Sequence, residues 1–156
     1  MKRQIAKGLA MLMVTLALAA ASAAVANGQS NQALRVQVPF DFVVADESLR
    51  AGEYRVGAIN QAGDTIAIRN AAGDNALRLT APKERQDREK AAKLVFHRYG
   101  STYFLSQVWM AGEATGRELP RSNQERAIER ELKTVAAYHG TRKPVYEIVE
   151  VIALAR

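Results

Sequence analysis

The chain has no cysteine, two histidines, four prolines and a single tryptophan among its 156 residues. Without cysteine there is no disulfide, no thiolate metal site, no thiol nucleophile and no lipidated N-terminal cysteine. Two histidines, His97 and His139, are too few for a histidine-rich metal site. No G-x-S-x-G elbow and no phosphate loop occurs, so neither a catalytic residue nor a cofactor or metal is assigned. Charge is also scarcer than the formal +6 suggests. Of 22 basic side chains, Lys2, Arg3 and Lys7 lie in the first 26 residues, which hold no acid; the remainder carries 19 bases against 16 acids, a net +3. There is no dense basic stripe, and a nucleic-acid partner is set aside.

One long apolar run is present, at the start. Three basic residues precede "GLAMLMVTLALAA" (8 to 20), and Ala24-Val25-Ala26 offers small residues at both positions that signal peptidase inspects. This predicts a signal peptide over 1–26, cleaved after Ala26, with a cut after Ala23 as the neighbouring alternative. An uncleaved anchor would need a longer and less alanine-rich span. The expectation is a protein exported to the periplasm or beyond, with one domain over 27–156 and no integral membrane segment after cleavage. About 130 residues suffice for a core without covalent staples.

Leu34 to Phe42, "LRVQVPFDF", alternates apolar and polar residues and predicts a half-buried strand that Pro39 pushes to an edge or a bulge. Tyr54 to Ala58, Ile66 to Ile68 and Leu77 to Leu79 mark three more strands between glycine turns, an antiparallel meander. "PKERQDREK" (82 to 90) reads as a solvated loop. Ser122 and Glu125 have capping-box spacing, and Ile128, Leu132, Val135 and Ala136 make an apolar stripe, predicting a helix over about 123–138 that covers a sheet. His139 and Gly140 read as its end signals. "VYEIVEVIALA" then returns to strand composition. The fold class expected is mainly β: a small antiparallel barrel or sandwich of about seven strands with one amphipathic helix. An outer-membrane barrel is not expected from such short, uneven strands.

The most informative stretch is "LVFHRYGSTYFLSQVW" (94 to 109). Gly100-Ser101 fits a type II′ hairpin loop, which sets Tyr99 opposite Thr102, His97 opposite Phe104 and Val95 opposite Ser106. One face then holds Leu94, Phe96, Arg98, Tyr103, Leu105, Gln107 and Trp109. The other holds Val95, His97, Tyr99, Thr102, Phe104, Ser106 and Val108. No acid lies on the hairpin to orient His97, so it reads as a hydrogen-bonded core residue. Were the domain to hold a small apolar ligand, His97, Tyr99, Thr102, Phe104 and Ser106 would line the cavity. On the alternative face Arg98 and Tyr103 form a cation–π pair near Trp109. Asp41 or Glu150 is the expected carboxylate partner of Arg98. Glu147 and Glu150, three apart in a strand, face opposite ways and cannot act as a catalytic pair.

The segments "VPFDFVV", "LRAGEYRV", "LVFHRYG", "YFLSQVW" and "GRELPRS", spread over residues 38 to 122, resemble a group of small exported β-rich bacterial proteins of the acidobacterial kind. Those proteins carry proline where this chain has Arg50. The resemblance implies export and a compact β domain, and carries over no catalytic residue. Three functions stay open: an exported non-catalytic interaction or structural module whose partner is a protein or envelope surface, a β-barrel holding a small apolar ligand, and a hydrolytic enzyme.

Overall fold

Strict alternation decides the first strand. Leu34, Val36 and Val38 are buried while Arg35 and Gln37 are exposed, the pattern of a strand with one face on a core. The computed structural model describes residues 33–60, 62–88, 90–138 and 145–154. The expected signal over 1–26, its cleavage point, His139, Gly140 and Pro144 lie outside them. Eleven strands and one helix follow in order among the described residues. The strands before the central hairpin are β1 (Ala33–Val38), β2 (Phe42–Val44), β3 (Glu47–Leu49), β4 (Gly52–Ala58), β5 (Thr65–Asn70), β6 (Asn75–Leu79) and β7 (Ala81–Glu84). Then come β8 (Lys93–Tyr99), β9 (Thr102–Trp109), β10 (Thr115–Glu118), α1 (Asn123–Tyr138) and β11 (Glu147–Ile152).

The protein is mainly β, with more and shorter strands than the seven expected. One sheet has the order β1-β4-β5-β6, all antiparallel. Here β4, β5 and β6 form the expected meander. The larger sheet runs β11-β8-β9-β10-β7, with β2 pairing antiparallel to β3 and meeting β9 in parallel at Val43 opposite Phe104. Among the described residues the sheets do not close into a barrel. Leu34, Val36, Val38, Tyr54, Val56, Ile66, Ile68 and Ala76 of the first join Phe42, Val44, Leu94, Phe96, Leu105 and Val108 of the second in one buried apolar cluster.

Two expectations are corrected by what the backbone does at special residues. Leu34–Phe42 is not one strand: β1 ends before Pro39, which lacks an N–H for the ladder, and the chain crosses to the other sheet as β2. The charged stretch after Thr80 is not all loop: its first residues form β7, paired with β10 from Glu118 opposite Ala81 to Thr115 opposite Glu84. A two-stranded edge needs no apolar alternation, so composition alone hid it.

The hairpin turn behaves as expected. Gly100 takes φ 61°, Ser101 keeps a negative φ, and Tyr99 faces Thr102. The register holds through Phe96 opposite Leu105 and then shifts, so Val95 faces Gln107 and Leu94 faces Val108. Ser106 is the extra residue of a β-bulge, and its carbonyl accepts from the Leu119 amide at 2.8 Å. Beyond the bulge the faces of β9 exchange: Val108 joins the inter-sheet cluster. Gln107 and Trp109 therefore move to the face opposite the expected one. Trp109 is buried against Gly116, where a Cβ would stand 2.6 Å from its ring.

Helix α1 spans the predicted residues, but it docks differently. Among its side chains Glu125 and Glu129 are buried, Ile128 is half-buried, and Leu132, Val135 and Tyr138 are exposed. It covers the larger sheet with its first turns rather than with the whole apolar stripe. No helix among the described residues is long and apolar enough to cross a membrane.

Candidate functional site

Strand alternation puts Val95, His97 and Tyr99 of β8 on the face of the larger sheet that looks away from the other sheet, beside Phe104 of β9. The loop after β10 delivers α1 over this patch. Ser122 Oγ accepts from the Glu125 backbone N–H at 2.9 Å, which caps the helix. The Glu125 carboxylate turns down onto the sheet. The Nδ1–H of His97 donates to its Oε1 at 2.8 Å, and the Tyr99 hydroxyl donates to the same oxygen at 3.3 Å. A carboxylate only accepts, which places the ring proton on Nδ1. Both partners are buried, His97 at 7% and Glu125 at 3% exposure.

A second ring of charge surrounds this pair. Arg121 Nε stands 3.9 Å from the same Glu125 oxygen, and the Arg121 guanidinium also bonds Glu129. Lys133 closes on Glu129 at 2.8 Å, with the acid N-terminal to the base in the favourable i, i+4 order. These two cations hold the Glu129 carboxyl below its usual range, Lys133 contributing most. Glu129 in turn holds the Arg121 guanidinium above its ordinary value. Burial, and then the nearby Glu125 and Glu129 charges, push the Tyr99 phenol well above 10. The aromatic ring of Tyr146 lies 4.2 Å from the His97 ring centroid and 5.5 Å below the Arg121 guanidinium. Val43, Ile128 and Val145 complete the packing around Tyr99 and Phe104.

A histidine with a carboxylate on Nδ1 is the orienting half of an acid–base pair. The other half is not assembled: neither Thr102 nor Ser106 hydrogen-bonds His97 among the described residues. Of the five ligand-lining residues predicted, the structure brings His97, Tyr99 and Phe104 together beneath α1. Thr102 sits half-buried at the hairpin end and Ser106 in the bulge. Tyr146 lies against His97, and Ile128 packs on the neighbouring Val43, Tyr99 and Phe104. Two open surface depressions are present, the second adjoining the charge ring through Glu129 and Lys133. One of about 380 Å³ is lined by Arg85, Gln86, Asp87, Arg88 and Lys90, and one of about 530 Å³ by Asn123, Arg126, Glu129, Arg130 and Lys133. Both are walled by polar side chains. Among the described residues no group of three His, Cys, Asp or Glu side chains is placed to hold a metal.

On the alternative face, the Arg98 guanidinium lies 5.6 Å over the Tyr103 ring as expected, and Tyr103 stacks on Phe40 at 3.8 Å. The carboxylate partner of Arg98 is neither Asp41 nor Glu150 but Glu147, at 3.2 Å, because β11 pairs with β8 and sets Glu147 opposite Arg98. Glu150 faces the other way and binds Lys93 at 3.0 Å. Trp109 is not part of this face, having crossed at the bulge.

Sequence reasoning missed Glu125, Arg121 and Tyr146. The capping-box spacing gives Glu125 a local role and says nothing of its carboxylate reaching the sheet. Two glutamates one turn apart beside Ile128 were the available signal that this helix face carries acid. Compared with known proteins, the chain matches no family model, no curated protein and no solved structure.

Proposed function

We propose that the protein is an exported, non-catalytic interaction module, built as an open sandwich of the two sheets with α1 laid over the outer side of the larger one. The observation that carries this reading is the filling of the most site-like cluster by the chain's own side chains. His97 has its carboxylate, Tyr146 packs against its ring, and Ile128 packs on the neighbouring Tyr99 and Phe104, which supports a packed cluster over a ligand cavity. The Glu125–His97 pair is a clamp between helix and sheet. Meanwhile apolar surface is left outside: Ile148 and Ile152 of the edge strand β11 are about two-thirds exposed, and Leu132, Val135 and Tyr138 line the outer helix. Surface rather than interior is what this fold offers a partner.

Native mass spectrometry of the processed protein, recovered gently from its own producer, tests the reading. The expected result is a mass free of small organic ligands, with a macromolecular or envelope partner recovered by cross-linking. A stoichiometric small molecule released by organic solvent would overturn it in favour of a ligand carrier.

A further inference from the structure

On the solvent side of the four-stranded sheet, three arginines stand in a row. Arg35 of β1 is directly opposite Arg55 of β4, and Arg55 is directly opposite Arg69 of β5. All three are exposed. Neighbouring strands lie about 4.8 Å apart, so like charges so placed repel and cost stability. Six other cations are neutralised: Arg78 with Glu47, Lys83 with Glu118, Lys93 with Glu150, Arg98 with Glu147, and Arg121 and Lys133 with Glu129. Within the row Arg35 has Glu53, at 2.9 Å. Among the described residues Arg55 and Arg69 have no carboxylate within ion-pair distance.

Next to this ladder the sheet is smooth and then apolar. The neighbouring row is Ala33, Gly57, Ala67 and Leu77, and the row beyond it pairs Thr65 with Leu79, with Ile59 bonded to Thr65 through its backbone N–H at 3.0 Å. Leu79 is 68% exposed, and Ile59 and Leu77 nearly half. Tyr54 points inward into the core, so β1, β4, β5 and β6 present no aromatic ring on this side for stacking on sugars or bases. A row of cations bordered by exposed aliphatic side chains matches a surface that is anionic at one depth and hydrocarbon just below it.

We propose that this face docks on an anionic phospholipid membrane, with Arg35, Arg55 and Arg69 on the phosphates and Ile59, Leu77 and Leu79 at the acyl boundary. The proposal rests on reading the domain as an interaction module, and names the surface it uses.

The chain has no native cysteine, so a single environment-sensitive fluorophore can be placed at Leu79→Cys, and in a second protein at Ser101→Cys on the hairpin turn. Each full-length protein is titrated with vesicles of equimolar phosphatidylglycerol and phosphatidylcholine, and with phosphatidylcholine alone. The expected result is a blue shift at position 79 on the anionic vesicles alone, reversed by salt, and none at position 101. Adding Arg55→Gln and Arg69→Gln should raise the lipid needed for half the shift by about 25-fold, roughly fivefold per arginine. A melting temperature no lower than the parent's would show that the variant is folded. Equal shifts at both positions, an unchanged response in the double variant, or an equal response to phosphatidylcholine would overturn the proposal. So would capture of the arginines by a soluble anionic polysaccharide such as alginate while vesicles leave position 79 unshifted. A protein partner cross-linked through β11 or α1 alone would likewise remove the membrane surface while leaving the interaction module standing.

Discussion

Glu125→Ala is the substitution on which the clamp stands or falls. The wild-type carboxylate is 3% exposed and accepts from His97 at 2.8 Å and Tyr99 at 3.3 Å. Deleting it removes one short hydrogen bond to a carboxylate, worth about 1.5–3 kcal/mol, and leaves the His97 N–H buried and unpaired at a further cost of about 1–3 kcal/mol. Relief from burying a carboxylate offsets part of this. The net expectation is a loss of about 3 kcal/mol, or about 10 °C in melting temperature for a domain of this size. Glu125→Gln keeps an oxygen that can accept from Nδ1 and should cost only about 1 kcal/mol. Urea unfolding followed through the fluorescence of Trp109, the sole tryptophan and fully buried, measures both. If Glu125→Ala lies within about 1 kcal/mol of the parent, the pair does not hold the helix, and the cluster must be reconsidered as a site kept for function.

Replacing the whole pair by His97→Phe with Glu125→Leu should cost less than Glu125→Ala alone, because the buried His97 N–H is removed with its acceptor and only the longer Tyr99 hydrogen bond is lost unreplaced; a double variant less stable than the single one would contradict this. Gly116→Ala places a methyl against the buried Trp109 ring and should destabilise by about 1–3 kcal/mol with a shift in Trp109 emission; an unperturbed spectrum would show the ring free to move. Burial, and then Asp74, raise the Tyr54 phenol from 10 to about 12. The folded state therefore keeps a proton that the unfolded chain loses above pH 10, so this contribution is complete below about 10 and lost as pH rises through about 12. In Tyr54→Phe the urea midpoint should fall less steeply between those values, and an unchanged alkaline slope would refute the assignment.

What could be read from the sequence is what local chemistry controls. Gly100 can take a positive φ, so the turn and the pairs nearest it followed. Ser122 caps, so the helix start followed. The meander followed from alternation. The bulge at Ser106 did not, since no glycine or proline announces it. The contact that accompanies it is non-local: the Leu119 amide, from the chain beyond β10, donates to the Ser106 carbonyl. That one extra residue carries Gln107, Val108 and Trp109 to the faces opposite those expected and takes Trp109 off the face of Arg98 and Tyr103. The partner of Arg98 was misread for a related reason: the pairing of β11 with β8 joins residues some fifty positions apart, and only that register distinguishes Glu147 from Glu150.

The helix shows most plainly why composition underdetermined the site. An apolar stripe predicts that a helix will dock but not where along its length, because aliphatic contact is non-directional. Here Leu132 and Val135 stay outside while Glu125 and Glu129 go in. A buried carboxylate is costly unless its hydrogen bonds are made, and His97 and Tyr99 meet the Glu125 oxygen at one place on the sheet only. Sliding α1 by a turn would strand that oxygen and the ring N–H together. The polar contact thus fixes the position of the helix where the stripe would have let it wander, and this precision leaves Leu132, Val135 and Tyr138 projecting outward on a fixed scaffold. His97, which the sequence reads as a hydrogen-bonded core residue, is thereby the socket that sets an outer surface in place.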